Sequence, residues 1–209
     1  MSIIAIDGTL ASGKGTLAKK LAAHFGLPHL DTGKLYRAVG YAVLQSGGDP
    51  KNADVAAAAA KSVDLSSLAD PALLQDDIAS AASKVAVLPA VRAALFDVQQ
   101  NFAKQPGGAV LDGRDIGTVI CPDATVKLFV DALPEIRARR RYDELVRLGK
   151  TANFDTVFKQ LIERDRRDST RAEAPLKPAR DAHILDTTDL TADEVLGRAI
   201  TIILAIIEP

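Results

Sequence analysis

Short apolar runs alternate along the chain with longer stretches in which apolar residues recur every three or four positions. The short runs have the length of strands, and the longer stretches have the periodicity of amphipathic helices. Because strands that alternate with helices build parallel sheets, the pattern predicts the α/β class, with a parallel sheet and helices on both faces. The predicted strands are residues 3–6, 29–30, 109–111, 125–130 and 182–185.

Turn and capping residues between these runs predict where the helices begin and end. Pro89 and Pro134 suit the first turn of a helix, and Gly149 suits a helix end. Asp31 and Asn153 are candidate N-caps. The predicted helices cover residues 16–25, 34–44, 91–104, 134–148, 153–167 and the C-terminal segment from Thr191, which we expect to pack on the sheet.

Residues 49–88 differ in composition from the rest of the chain. They include many alanines and several aspartates but no aromatic residue. Residues 56–60 are all alanine, the strongest helix former, and Asp70 followed by Pro71 can start a further helix. We therefore predict a helical lobe inserted in the α/β core.

Polar residues cluster directly after the predicted strands. They occupy residues 8–16, 31–33 and 112–115, and Asp131 follows the fourth strand. In open α/β sheets, ligands bind outside the carboxyl ends of the strands. The sequence therefore predicts the functional site at this edge of the sheet.

The composition narrows the class of protein. The chain has 209 residues, 47% of them apolar, which is enough for one α/β core. Its net charge of −1 does not indicate nucleic acid or an anionic membrane, so we expect neither as a partner, although ten of the fourteen arginines lie between residues 137 and 180. The single cysteine, Cys121, excludes an intramolecular disulfide. With no signal-like leader and no apolar run of bilayer length, we expect a cytoplasmic protein.

Residues 8–16 read GTLASGKGT and stand between the first strand and the first helix. The order of strand, G-x-x-x-x-G-K and helix is that of the phosphate-binding P-loop. Gly8 and Gly13 let the backbone approach an anion, and Lys14 places positive charge over the β and γ oxygens. Gly15 follows the lysine, and the hydroxyl comes one residue later, at Thr16. This ending resembles the nucleoside-monophosphate kinases more than the switch GTPases.

Candidate metal ligands are few. Thr16 offers a hydroxyl near a Mg²⁺ ion, and Asp112, at a strand end, is a candidate partner that acts through water. Alternatively, Asp112 only forms a turn before a glycine. The three histidines, at positions 24, 29 and 183, share no spacing or acidic neighbours that would predict a metal site, and no Ser-His-Asp set is visible.

Four stretches of the chain, taken together, resemble the bacterial cytidylate kinases. They read GTLASGKGT, LDTGKLYR, DGRDIGTVICPDA and ERDRRDSTRAEAPLKPARDAHILDTTDL, and they occur in the family's order over nearly the whole chain. The resemblance implies that the γ-phosphoryl group of ATP is transferred to CMP or dCMP with the help of Mg²⁺. We expect the enzyme to act as a monomer.

The resemblance also implies a domain organisation. It predicts one P-loop kinase domain over residues 1–209, with an inserted monophosphate-binding lobe and a short, mobile lid. The core would comprise residues 1–48, 89–134 and 168–209, the lobe about 49–88 and the lid about 135–167. Longer family members carry a small β insert in the lobe, and residues 62–80 are too short and too helical to hold it.

On the donor side, the resemblance implies that ATP binds the loop and two arginines of the lid. Lys14, Arg114 and Arg171 would be the catalytic residues, because phosphoryl transfer needs positive charge around the equatorial oxygens. Other arginines of the lid would only face solvent from its helix and would contact no phosphate. The implied ATP-binding residues are Gly8, Thr9, Leu10, Ala11, Ser12, Gly13, Lys14, Gly15, Thr16, Arg137 and Arg141.

On the acceptor side, the resemblance implies that arginines bind the monophosphate and a carboxylate recognises the base. The planar guanidinium of arginine makes two bonds to one phosphate. A carboxylate would accept from N4 of cytosine but would face the acceptor O4 of uracil. The phosphate residues would be Arg37, Arg114 and Arg171, with Thr32 nearby, the base residues Asp115, Ser83 and Arg92, and the sugar residues Arg164 and Asp168.

Several of these acceptor residues also have a simpler interpretation from sequence alone. Arg37 could lie on a solvated helix face, and Ser83 and Arg92 on helix surfaces. Arg164 and Asp168 are spaced as a solvent-exposed ion pair on one helix face, which Arg171 would share.

Two other functions compete with this hypothesis. One is a kinase on the same core that acts on UMP, AMP or a small hydroxy acid, against which the Asp115 region and the stretch ERDRRDSTR argue. The other is a slow nucleotide-binding switch, but the guanine-reading pattern Asn-Lys-x-Asp does not occur.

Overall fold

The computed structural model describes residues 2–207 of the chain. Its strands are β1 Ser2–Gly8, β2 His29–Asp31, β3 Gly108–Gly113, β4 Val126–Asp131 and β5 His183–Asp186. Its α-helices are α1 Lys14–Phe25, α2 Thr32–Gln45, α3 Ala53–Lys61, α4 Asp76–Val85, α5 Pro89–Ala103, α6 Pro134–Arg147, α7 Phe154–Thr170 and α8 Ala192–Ile207. All five predicted strands are confirmed.

The five strands form one sheet in the order β2-β3-β1-β4-β5. β1 is parallel to both of its neighbours, β3 and β4, and β4 is parallel to β5. The predicted α/β class with a parallel sheet is therefore confirmed. Asp7, near the end of β1, is in register with Gly113 of β3 and Phe129 of β4. The loop that follows β1 consequently begins beside the carboxyl ends of two other strands.

One face of the sheet is covered by the first and last helices. Ile4 and Ile6 of β1 pack with Leu17 and Leu21 of α1 and with Ile203 of α8, and each of these side chains is at most 3% exposed. Burying one such aliphatic side chain contributes about 1.5–3 kcal/mol. The apolar C-terminal segment is thus a helix of the core that packs on the sheet, as predicted.

Side-chain caps set the beginnings of several helices. Asp31 accepts a hydrogen bond from the N–H of Lys34 at 3.3 Å, so α2 starts directly after it. Asn153 caps α7 by accepting from the N–H of Thr156 at 3.0 Å. Both caps were expected from the sequence, because short polar side chains satisfy the unpaired N–H groups of a first helical turn.

The chain divides into two compact units. One contains the residues up to His29 and those from Gln105 onwards, and the other contains Leu30–Lys104. The predicted lobe, residues 49–88, lies inside the second unit, which begins earlier and ends later.

The second unit is helical. It holds α2 to α5 and two short 3₁₀ turns, Leu65–Ala69 and Pro71–Leu74. Asp70 caps the second of these turns rather than a full α-helix, because its carboxylate accepts from the N–H of Ala72 at 2.8 Å. Residues 62–80 form no strand, in agreement with the expectation that they are too short and too helical for a β insert.

Within residues 2–207, no single helix has both the length and the apolar content to cross a membrane. α4 and α5 would meet the requirement together by length and composition, but the chain bends by 100° between them.

Candidate active site

The loop between β1 and α1 brings backbone N–H groups to the carboxyl edge of the sheet. Gly8 passes so close to β4 that a Cβ atom at this position would lie 2.1 Å from the carbonyl oxygen of Val130. Gly13, with φ of 93°, precedes α1 and provides no side-chain cap. The N–H groups of the first turn of α1 therefore keep their capacity to bind an anion.

Side chains on both sides of the loop hold it in place. Thr9 donates from Oγ1 to Asp131 at 2.6 Å, and Ser12 donates to the carbonyl oxygen of Thr9 at 3.0 Å. Lys14 donates from Nζ to the same carbonyl at 3.1 Å. Thr187, just beyond β5, donates to the carbonyl oxygen of Ser12 at 2.9 Å. The loop is consequently anchored to the ends of β4 and β5.

Arg137, predicted to face phosphate, lies on α6 with its side chain buried. Its side chain donates to the carbonyl oxygens of Ala132 at 2.8 Å and Leu10 at 3.2 Å, and Nη2 lies 2.7 Å from Oδ2 of Asp165. The structure thus places Arg137 between the loop and α7. Arg141, the other predicted lid arginine, lies 2.7 Å from Glu144. Phosphate contact by either arginine stays a prediction.

A cavity of about 200 Å³ lies beside the loop. Two of its lining residues, Arg140 and Thr187, are candidate ligand-binding residues that the sequence had not indicated. Arg140 donates to both oxygens of Thr187, at 2.9 and 2.6 Å, and burial lowers the pKa of Arg140, against the opposing charge of Asp186. Thr187 follows a strand end, which was the available signal. The lining residues are Ser12, Gly13, Thr16, Leu17, Arg140, Thr187, Leu190, Ala192 and Val195.

Asp112, the predicted partner of a metal, lies in the structure beside the loop. It is 3% exposed, and its Oδ1 lies 2.7 Å from Nε2 of His29. A Cβ atom at Gly15 would lie 3.7 Å from Oδ2, so this oxygen faces the start of α1. The sequence had suggested no role for His29, because its partner is distant along the chain.

Two ion pairs join the carboxyl end of β3 to the end of α7 and the residue that follows it. Arg114 lies 2.8 Å from Asp168 through Nε, and its Nη1 donates to the carbonyl oxygen of Gly8 at 2.9 Å. Arg171 lies 3.3 Å from Asp115. The structure therefore brings four of the predicted acceptor residues together next to the loop.

The position of Asp168 corrects the simpler interpretation of the stretch 164–171. Asp168 pairs with Arg114 rather than forming only a local ion pair with Arg164. Burial by itself would raise the pKa of Asp168, but the charges of Arg114, Arg164 and Arg171 together hold it below its ordinary value. α7 ends at Thr170, so Arg171 lies just beyond the helix and does not share its face, as the spacing had suggested.

The second unit holds the remaining predicted acceptor residues. Arg37 donates to the carbonyl oxygen of Leu73 at 2.7 Å and is half-buried. Arg92 is 9% exposed and donates to the hydroxyl of Tyr36 at 3.3 Å, so it is not a helix-surface arginine. Ser83 is half-buried on α4 and Thr32 is buried at the start of α2.

The fold and the loop define the class of protein. A central strand leads through a glycine-containing loop into a helix whose N-terminus has no side-chain cap, and arginine–carboxylate pairs stand at the neighbouring strand end. This is the arrangement of a P-loop kinase, which binds phosphates with backbone N–H groups and arginines.

Comparison with known proteins identifies the family. The family model described as cytidylate kinase matches residues 4–205. A cytidylate kinase from Methylocella silvestris is 55% identical over 201 residues, which cover 96% of this chain and 93% of that protein. A cytidylate kinase from Brucella suis biovar 1 is 53% identical over 191 residues, 91% of this chain and 87% of that protein. The chain belongs to the cytidylate kinase family.

Solved structures share the fold at low sequence identity. An uncharacterised protein from Eubacterium ventriosum has a TM-score of 0.58 at 17% identity and covers 97% of this chain and 98% of its own. A gluconokinase from Sinorhizobium meliloti has a TM-score of 0.52 at 14% identity and covers 99% and 94%. These likenesses concern the fold alone, which agrees with the P-loop architecture.

Proposed function

We propose that this protein transfers the γ-phosphoryl group of ATP to CMP or dCMP, giving ADP and CDP or dCDP. The observation that carries the proposal is the P-loop between β1 and α1, with the pairs Arg114–Asp168 and Arg171–Asp115 at the adjoining strand end. Membership in the cytidylate kinase family supports the same reaction.

The loop and its adjoining cavity suit the donor nucleotide. Backbone N–H groups of residues 8–16 and the ammonium of Lys14 would bind the β- and γ-phosphates. The cavity next to Ser12 and Thr16 would take the adenine ring, because it is lined by the planar guanidinium of Arg140 and the apolar side chains of Leu190 and Val195. Lid arginines 137 and 141 would complete the ATP site.

The residues around the loop fit a Mg²⁺ ion. This ion prefers oxygen ligands and is held through few protein groups together with substrate phosphates. The hydroxyl of Thr16, in the first turn of α1, and Oδ2 of Asp112, which faces the start of α1, would be its oxygen ligands, the latter through water. When bound, the ion would neutralise charge on the β- and γ-phosphates. His29 would hold the Asp112 carboxylate in its orientation.

Arginines suit the acceptor phosphate because they remain charged and bind two oxygens at once. Arg114 and Arg171 would become phosphate ligands and contribute positive charge where it develops on the transferred group. The guanidinium group of Arg37 would be a third ligand of this phosphate, with the Thr32 hydroxyl nearby. Both Arg114 and Arg171 are already oriented by carboxylates, so less side-chain entropy is lost on binding.

The nucleoside would be recognised by a second group of residues. Asp115 would accept a hydrogen bond from N4 of cytosine, assisted by Ser83 and Arg92. Arg164 and Asp168 would bind the sugar hydroxyls. A site built to satisfy a donor at N4 disfavours uracil, whose O4 would face the carboxylate.

We also propose that the enzyme acts as a monomer in the cytoplasm, without nucleic-acid or membrane partners. The overall charge of −1 supports the expectation of no nucleic-acid or membrane partner, and the single, buried cysteine, Cys121, suits a reducing cytoplasm. The proposal also includes a single kinase domain, with the lobe at about residues 49–88 and the lid at about residues 135–167.

The function is tested by measuring ADP release from MgATP with CMP, dCMP, UMP, AMP or a small hydroxy acid as the acceptor. We expect fast release only with CMP or dCMP. Faster ADP release with another acceptor would show that the protein is a kinase for that acceptor. ADP release that no acceptor accelerates would show a slow nucleotide-binding switch.

Lys14→Ala provides the matched variant for this assay. We expect at least a tenfold loss of turnover, equivalent to about 1.4 kcal/mol, because positive charge over the β and γ oxygens disappears. Lys19→Ala, an exposed lysine on the same helix, is the control and should keep the wild-type rate. A folded Lys14→Ala variant that retained more than about a tenth of the wild-type rate would contradict the role of this lysine.

A further inference from the structure

Asp7 is a buried carboxylate that has no part in the proposed reaction. It lies near the end of β1 and is 4% exposed. Its Oδ1 accepts from the backbone N–H of Ile116 at 2.8 Å, and its Oδ2 accepts from that of Gly117 at 2.8 Å. Burying a carboxylate is unfavourable unless it is hydrogen-bonded, so these two bonds explain why the side chain is tolerated there.

The two N–H groups belong to the first turn of a π-helical segment, Ile116–Ile120, whose N-cap residue is Asp115. An aspartate at an N-cap ordinarily accepts from the second or third N–H of its own turn. The side chain of Asp115 makes no cap hydrogen bond, and its Oδ1 lies 3.3 Å from Nη2 of Arg171. Asp7 therefore caps the turn in place of Asp115.

We propose that Asp7 is a positioning residue for CMP: by capping the turn from β1, it keeps the Asp115 carboxylate directed at Arg171 and the acceptor site. Without Asp7, the N–H groups of Ile116 and Gly117 become buried donors that have lost their acceptor, which is unfavourable. Asp115, the N-cap residue, would accept from the second of these groups, the N–H of Gly117, only by turning away from Arg171. The inference rests on the proposed function, since it concerns use of the acceptor CMP.

The packing around the turn leaves little room for another arrangement. A Cβ atom at Gly117 would lie 3.2 Å from Cδ of Lys127 and 3.5 Å from Oδ2 of Asp7. The stem of Lys127 thus lies against the turn, while its ammonium is 2.7 Å from Asp181. The turn therefore rests directly on side chains of β1 and β4.

The pKa of Asp7 lies below 7, so this carboxylate is mostly ionised at neutral pH. Burial raises the pKa of Asp7 to about 6, while the bonds from Ile116 and Gly117 lower it, Asp115 raises it and Arg114 lowers it. The ammonium of Lys127 is held by Asp181. Above pH 6 both oxygens of Asp7 therefore accept, as the cap requires.

A double-mutant cycle tests whether Asp7 acts through Asp115. The variants are Asp7→Asn, Asp115→Asn and the double variant, assayed with CMP, UMP and ATP. Asparagine is nearly isosteric with aspartate but offers only one acceptor oxygen, so one N–H of the turn is left without its partner. Asp64→Asn, which alters an exposed cap in the second unit, is the control and should match the wild type.

We expect Asp7→Asn to lower kcat/KM for CMP by roughly tenfold, mainly through KM, while KM for ATP changes less than about twofold. In the Asp115→Asn background, the same substitution should cost less than about threefold, because its target is already absent. An equal loss in both backgrounds would overturn the positioning role. Failure of the proposed function would look different, since the wild type itself would then not use CMP.

A measurement on the wild-type protein keeps the inference testable if Asp7→Asn does not fold. The ratio of kcat/KM for CMP to that for UMP, followed from pH 8 to pH 5, should fall severalfold below about pH 6, where Asp7 binds a proton. Titration of the two substrate phosphates cancels in this ratio, because their second pKa values are both about 6. A ratio that stays constant over this range would overturn the proposal.

Discussion

At the scale of single residues, the pKa values of two aspartates in the same unit are shifted in opposite directions. Burial raises the pKa of Asp7 to about 6, because its partners are neutral N–H groups. Asp168 is only partly buried, and three arginines lower its pKa. Asp168 therefore stays ionised throughout the physiological range, whereas Asp7 becomes neutral in mildly acidic solution.

The raised pKa of Asp7 predicts a pH dependence of stability. Because the folded state binds this proton more tightly than the unfolded state, stability from Asp7 is present below its ordinary pKa of 3.8 and is lost as pH rises to about 6. The difference corresponds to about 3 kcal/mol. Urea unfolding of the wild type and Asp7→Asn should show the wild type losing stability relative to the variant between pH 4 and about pH 6. Parallel profiles would contradict the raised pKa.

The proposed base-reading role of Asp115 makes a prediction about substrate choice. Asp115→Ala should lower kcat/KM for CMP. The loss should correspond to roughly 2–4 kcal/mol of transition-state stabilisation, the scale of a lost buried hydrogen-bond partner. The value of kcat/KM for UMP should fall much less, because the repulsion between O4 of uracil and the carboxylate disappears as well. If Asp115 served only to orient an arginine such as Arg171, both substrates would lose equally and the CMP/UMP ratio would not change.

At the scale of elements, the loop between β1 and α1 depends on two glycines for different reasons. A Cβ atom at Gly8 would overlap the carbonyl oxygen of Val130 at 2.1 Å, so the pairing of β1 with β4 would have to change. A Cβ atom at Gly13 would meet no atom within 4 Å other than those of its chain neighbours, so only the positive φ of 93° disfavours a side chain there. The first constraint is steric and the second is conformational.

Alanine substitution separates these two constraints. Gly13→Ala should destabilise the fold by about 1–2 kcal/mol, the cost of placing an L-residue at positive φ. Gly8→Ala should be clearly more destabilising and should also abolish ATP binding, because the loop cannot keep its path. Thermal unfolding and nucleotide titration of both variants measure this difference. Equal effects would mean that β1 and β4 accommodate the extra methyl group.

An aromatic cluster joins α6 and α7, the helices of the predicted lid. The guanidinium of Arg139 in α6 lies 4.5 Å from the ring centre of Phe154 and 5.6 Å from that of Tyr142. Phe154 also stacks on Phe158 at 6.3 Å. Such aromatic and cation–π contacts contribute about 0.5–1.5 kcal/mol each. We therefore expect α6 and α7 to move as one element.

At the scale of the whole molecule, phosphoryl transfer requires that water leave the site when both substrates are bound. A bisubstrate analogue that links adenosine and cytidine through phosphates should therefore slow hydrogen exchange in residues 134–168. Residues 192–207, which pack in the core, serve as the internal control and should change little. Unchanged exchange in residues 134–168 at saturating analogue would exclude this region from closure.

Part of this architecture was predictable from local sequence. Alternating apolar runs and helical stretches predicted the parallel sheet, and turn chemistry predicted the caps at Asp31 and Asn153. The phosphate-binding loop was recognisable because its strand, glycines, lysine and helix are contiguous. The cavity beside the loop was not predicted, since Arg140 and Thr187 are 47 residues apart and meet only after β4 and β5 have paired.

The sequence by itself determined the class, the element order and the loop, because periodicity and turn preferences act over a few neighbouring residues. The tertiary structure alone decided which polar groups meet: Arg114 with Asp168 across 54 residues, His29 with Asp112 across 83, and Asp7 with the turn at Ile116 across 109. These pairs depend on strand order and register, which place residues from distant segments at one edge of the sheet. Asp7 shows the limit most clearly, since its task exists only where the end of β1 meets the turn after β3.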